Sequence, residues 1–200
     1  RVTMRVLVAC ECSGVVRDAF AALGHYALSC DIKETEEPGN HHVGDVLELL
    51  NEGWDIMIAH PPCTHLAVAG ARYFKEKQAS GVQQQALEFV RQLMAAPIPK
   101  ICVENPVGVI STQIRRPHQR IHPWQFGHEA EKTTCLWLKN LPRLQPTNIV
   151  SKGEFVVLKN GKRMTKWLCN ASNSAPGVRS TVRSRTFKGI AEAMAAQWGI

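Results

Sequence analysis

The sequence has no apolar run of about 18 residues, so no segment reads as a membrane span. Its first stretch, RVTMRVLVAC, is too short in apolar residues for a secretory signal and continues as a strand. There is no internal repeat and no low-complexity tract. A disulfide framework is also missing. The seven cysteines (10, 12, 30, 63, 102, 135 and 169) are odd in number and scattered. Five lie in or beside apolar runs, where reduced cysteine behaves as a small hydrophobe. This usage points to a reducing cytoplasm. His118, His122, His128 and Cys135 are zinc-type residues, but their spacing matches no common zinc finger, and no metal is expected. Acidic residues are scarce in one half only. Residues 1–110 hold 9 Lys/Arg and 13 Asp/Glu, a net of −4, whereas residues 111–200 hold 15 and 4, a net of +11. So basic a second half suits a polyanionic partner.

What is present is an alternation of strands and helices. RVLVACE (5–11), ALSCDI (27–32), WDIMIAH (54–60) and KICVENP (100–106) read as strands. SGVVRDAFAALGH (13–25) reads as a helix with Ser13 as N-cap and Gly24 as its stop. GDVLELL (44–50) reads as a turn and short helix. The segment 80–96 is an amphipathic helix with Val82, Leu87, Val90 and Leu93 toward one face. This order predicts an α/β fold, a doubly wound and mostly parallel sheet. TTCLWLKNL (133–141) and 154–168 look like strands, the latter a hairpin turning at Asn160-Gly161. NASNSAPG (170–177) has the composition of a mobile loop, and residues 187–199 read as a closing helix. Three regions are expected: a core over 1–110, a basic, loop- and strand-rich region over 111–187, and a helix over 188–200 that packs back on the core.

In an open parallel sheet, ligands bind beyond the carboxyl ends of the strands. Those ends carry Glu11, Ser13 and Gly14, then Asp31, then Asp45, then Cys63, then Glu104 and Asn105. A Gly/Ser turn after the first strand lets a ligand approach backbone N–H groups. An acid ending the second strand can take both hydroxyls of a ribose. Together they point to a nucleoside-containing cofactor. Cys63, fixed after two prolines in AHPPCTHLA, suits a nucleophile if a neighbour favours its thiolate. Glu104-Asn105 suits hydrogen bonding to a polar ring edge. His60 and His65 flank the thiol.

These stretches, taken in order, resemble the DNA cytosine-C5 methyltransferases. More closely, the chain resembles the short cytosine-methylase-like proteins of phages and prophages, through VLVACECSGVVRDAF, HPPCTHLA, VENPVGVIST, PWQFGHE, LWLKNLP and RSRTFKGIAEAMAAQWG. The resemblance implies a class I methyltransferase core of Rossmann-like type with a small basic β-rich elaboration. It implies S-adenosyl-L-methionine as cofactor and cytosine in DNA as substrate, with single-stranded or short-site DNA among the forms allowed. Catalytic residues would be Cys63, adding to cytosine C6, and Glu104, holding N3 and the exocyclic amine. Arg183 or Arg185 would meet the cytosine carbonyl. The cofactor would be held by Asp31 on ribose, Asp45 on the adenine amine and Ser13-Gly14 at the methionine end, with Glu11 and Pro62 beside them. Asn105, His65, Arg115 and Arg116 are the expected substrate contacts. The location implied is the cytoplasm of a bacterium or of a phage-infected host.

The chain departs from the larger family in four ways. Glu11 and Ser13 replace glycines, Thr64 replaces a glutamine and Pro106 replaces a valine. A large target-recognition domain is also lacking. Two other readings stay open. One is C5 chemistry on a free cytosine nucleotide or with another one-carbon donor. The other is a catalytically idle nucleic-acid-binding protein.

Overall fold

The computed structural model describes residues 2–200, and the side chains of all of these except residues 69, 70, 176, 177 and 180. The chain forms β1 (Arg5–Ala9), α1 (Val15–Ala21), β2 (Tyr26–Asp31), β3 (His41–Val43), β4 (Ile56–Ala59), α2 (Phe74–Ala79), α3 (Val82–Met94) and β5 (Lys100–Pro106). It continues with α4 (Ile110–Gln113), β6 (Gln119–Ile121), β7 (Thr134–Lys139), β8 (Phe155–Val157), β9 (Arg163–Thr165), α5 (Lys166–Asn173), α6 (Pro176–Ser184) and α7 (Lys188–Trp198). Seven strands make one sheet in the order β3-β2-β1-β4-β5-β7-β6. The first five are parallel, and β7 enters antiparallel between β5 and β6. This is a Rossmann-like, doubly wound and mostly parallel α/β fold.

Both faces of the sheet are covered, so the strands are apolar on both sides. Val6, Val8, Ile56, Ile58, Cys102 and Leu136 point to a core shared with Val16 and Phe20 of α1 and with Ile190, Met194 and Trp198 of α7. Their sequence neighbours Leu7, Ala9, Met57, Ala59, Ile101, Val103 and Trp137 point the other way, onto Leu87, Val90 and Leu93 of α3. The period-2 reversal of side chains along each strand produces this division.

Several local expectations are corrected. Ser13 is not the N-cap of α1; Gly14 is, with φ +78°. An added Cβ there would meet Arg17 Nη2 at 2.4 Å as well as the left-handed backbone. Ser13 Oγ still accepts from Val15 N at 3.4 Å, and the next two N–H groups of α1, those of Val16 and Arg17, are taken by Glu11. The hairpin of β8 and β9 forms, but residues 166–168 belong to α5, because Thr165 Oγ1 accepts from Leu168 N and starts a helix. Residues 170–173 complete α5 and α6 begins at 176, so the expected loop is largely helical. The expected boundary at residue 110 does not divide the sheet, since β7 and β6 from beyond it add to the edge of β5. What stands off the sheet is the β8–β9 hairpin with α5 and α6.

Candidate active site

The strand order reverses between β1 and β4, and a crevice opens beyond their carboxyl ends. A cleft of about 300 Å³ lies there, lined among others by Glu11, Ser13, Asp31, Pro62, Cys63, Glu104, Asn105, Arg183 and Arg185. Nine of the expected residues thus share one cleft. Five do not line it. Gly14 lies behind it at the helix start. Asp45 accepts from Leu47 N at 2.9 Å and caps a 3-10 turn. His65 uses its carbonyl to accept from Gln83 Nε2 at 3.0 Å. Arg115 and Arg116 are exposed, beyond α4.

The wall after β1 begins with a left-handed residue, Cys10, at φ +60°. Such a conformation is costly for a non-glycine residue and turns the chain sharply off the strand. Glu11 then folds back over α1. Its two carboxylate oxygens accept from Val16 N at 2.9 Å and Arg17 N at 3.1 Å. The carboxylate therefore occupies the helix N-terminus, where a dinucleotide's pyrophosphate would otherwise sit. Burial pushes the Glu11 carboxyl up, against the pull of His60 and the two helix N–H groups.

The loop after β2 is held by a buried arginine. Arg17 is 1% exposed, and its guanidinium donates to Asp18, Ser29, Thr35 and the carbonyls of Glu37 and Pro38. This fixes the segment that carries Lys33 and Glu36 to the cleft. Asp31 Oδ1 accepts from Lys33 N at 3.0 Å. Glu36 pairs with Arg185, which ties the segment after α6 across the cleft to the β2 loop.

The wall after β4 and β5 holds the reactive groups. Ala59 pairs with Val103, so the next residues of each strand, His60 and Glu104, emerge side by side. His60 Nδ1 donates to Glu104 Oε2 at 2.6 Å, with the side chains 10% and 12% exposed. Burial alone pushes the Glu104 carboxyl up, but the hydrogen bond and charge of His60, helped by Lys132, outweigh it and hold the carboxyl below its ordinary value. Burial likewise pulls His60 down, and Glu104 and Glu11 more than reverse it, so His60 titrates above its ordinary value. Each partner thus favours the charged form of the other. Asn105 Nδ2 donates to Pro61 O at 2.8 Å and ties the two loops together. The loops also meet at Gly108, where a Cβ would lie 2.0 Å from the Leu66 carbonyl oxygen.

Cys63 is half-buried, in the loop that the prolines begin. Burial pushes its thiol up; Lys132 and Arg183 pull it back and Glu104 opposes them. The resting sulfur is a thiol with two cations close enough to favour its ionised form. Lys132 donates to the Arg183 carbonyl and so joins the β7 entry to α6. Lys132 was not among the expected residues. Its place depends on β7 inserting antiparallel beside β5, for which no local signal exists.

Two of the zinc-type histidines have hydrogen-bond partners within the protein. His118 Nδ1 accepts from Leu138 N, and His128 Nε2 accepts from Gly189 N. Among the described residues no three His, Cys, Asp or Glu side chains are grouped as a metal site would group them. Among the same residues no helix is long and apolar enough to cross a membrane.

No protein-family model matches the chain, and no curated protein matches it. Among solved structures it is similar to a candidate DNA modification methyltransferase encoded within a prophage (E. coli). The identity is 13% and the TM-score 0.46, over 87% of this chain and 56% of that one. The chain thus spans little more than half the length of that structure.

Proposed function

We propose that the protein transfers a methyl group from S-adenosyl-L-methionine to C5 of cytosine in DNA. The observation that carries the reading is the pairing of Cys63 with buried Glu104, at the ends of adjacent parallel strands, in a cleft that runs back to Asp31.

The residues fit this cofactor. Glu11 fills the helix N-terminus, which disfavours a phosphate and suits a nucleoside without one. Glu11 and Asp31 make that end of the cleft acidic, which suits a sulfonium cation. Asp31 would hold the ribose, and Ser13 would lie at the methionine end. When bound, the cofactor supplies an electrophilic methyl on sulfur.

The rest follows from the chain's own groups. Cys63 loses its proton beside Lys132 and Arg183, and its sulfur bonds to cytosine C6. The electron pair of the C5–C6 bond moves toward C5 and the N3 side of the ring. Glu104 holds N3 and the exocyclic amine, and the proton shared on His60 Nδ1 is available to N3 through the carboxylate. C5 takes the methyl, then gives its proton to a base. The pair left by the C5–H bond restores the C5–C6 double bond, the C6–S pair departs with the sulfur, and Cys63 leaves as thiolate. Arg183 faces this chemistry, whereas Arg185 is held by Glu36, so Arg183 is the better partner for the cytosine carbonyl.

The test is DNA carrying 5-fluorocytosine. Fluorine cannot leave as a proton does, so the C6–S bond persists. We expect an AdoMet-dependent covalent adduct with the parent protein and none with Cys63→Ala. Absence of adduct with both, alongside salt-sensitive DNA binding, would favour the idle binding protein instead.

A further inference from the structure

A second cavity, of about 660 Å³, opens on the other side of Cys63. It shares Cys63, Thr64, Pro106, Lys132, Arg183 and Ser184 with the cleft, so the two spaces are continuous at the thiol. Its outer wall is the β8–β9 hairpin with α5 and α6, none of which the chemistry above uses apart from Arg183.

The charge on this wall has one sign. Lys162, Arg163 and Arg179 line it beside Lys132 and Arg183, and among the described residues none of the five makes an ion pair with a carboxylate. The one acid lining it, Glu131, is neutralised by Lys152 at 3.6 Å. Between the cations lies an apolar and aromatic floor. Trp167 is partly buried against Phe187, with ring centroids 5.2 Å apart, and Phe155 stays 40% exposed with Arg163 over its ring. Cations that meet phosphates, set among aromatic faces that take bases, suit unpaired nucleotides. The volume is that of a pocket enclosing a small molecule, about 300–1,000 Å³. A duplex keeps its base faces stacked inside and presents nothing that would enter such a space.

We propose that this cavity holds the one or two nucleotides next to the target cytosine in an unpaired strand, making single-stranded DNA the substrate. This rests on the reading of Cys63 as the cytosine-attacking group. The target base sits at Cys63 and Glu104, and the chain of phosphates leaves past Arg183 along Arg179, Arg163 and Lys162. No base pair has to be opened, which removes the few kcal/mol that base flipping costs.

The experiment measures binding and transfer separately. Fluorescence anisotropy is followed for a fluorescein-labelled mixed-sequence 12-mer, as a single strand and as a duplex, with free dCMP as competitor. Tritium transfer from AdoMet is followed on the same DNA. The single strand should bind at least tenfold tighter than the duplex and resist millimolar dCMP. Trp167→Ala should weaken strand binding about tenfold, the scale of one lost base stack. Lys162→Glu with Arg179→Glu, both exposed side chains, should weaken it at least tenfold with the melting temperature unchanged. Equal binding of strand and duplex, full competition by dCMP, or parental binding by the charge-reversed variant overturns the proposal. So does equal label on duplex and strand, which leaves the methyl-transfer reading intact. Tight strand binding with no label on any cytosine leaves the cavity assignment standing and defeats the methyl-transfer reading.

Discussion

Replacing His60 by alanine would leave the Glu104 carboxylate buried without its partner. Both side chains are about nine-tenths covered, so solvent cannot step in freely. Removing one member of a buried pair typically costs about 3–5 kcal/mol, because the remaining charge is uncompensated. For a chain of this size each kcal/mol moves the melting temperature by about 2–4 °C, so a drop of roughly 6–20 °C is expected. The pH dependence gives a sharper signature. The lowered Glu104 contributes stability above its ordinary value of 4.5 and loses it as pH falls through the folded value. The raised His60 contributes fully below its ordinary value of 6.5 and loses it as pH rises through the folded value. The stability gap between parent and His60→Ala should therefore be widest between pH 4.5 and 6.5 and shrink on either side. Urea unfolding at half-unit intervals from pH 4 to pH 9 measures it. A gap that is flat across that range, or under about 1 kcal/mol at its widest, is the size of an exposed pair and refutes the coupling.

Two further outcomes are expected. Lys132→Met removes the strongest pull toward the Cys63 thiolate, so alkylation of Cys63, followed by peptide mass mapping at pH 8, should slow at least about threefold, since a nearby cation favours the ionised form. Arg17→Met removes the buried donor shared by Ser29, Thr35 and two carbonyls of the β2 loop; chemical unfolding should show a loss of about 3 kcal/mol.

The parts of the fold that were legible are those with a strong local period. β1, β2, β4 and β5 are apolar on both faces, and α3 carries its apolar stripe, so composition and spacing suffice to identify them. α5 was missed because it starts at the last residue of a strand, and its capping threonine reads equally well as a strand residue. Glu11 as the cap of α1 was missed because the side chain reaches forward five residues, outside the usual N-cap position. The His60–Glu104 contact spans 44 residues yet follows once β4 and β5 are neighbours in register. Lys132 and Arg183 arrive through the antiparallel β7 and through α6, and neither placement has a local cause.

The start of the chain is closed by its end. His25, at the turn into β2, bonds to the Gly199 carbonyl at 2.9 Å, and α7 covers the face of α1. β5, which bears Glu104, has its outer edge paired only when β7 arrives. During synthesis, then, β1 to β5 emerge with one face of their sheet bare and one edge open. Such surfaces delay completion and invite wrong partners until β7 and α7 are made. The reactive cleft should be among the last features to take its final shape, so nascent chains stalled before α7 should be recognised as substrates by chaperones rather than accumulate as partly active protein.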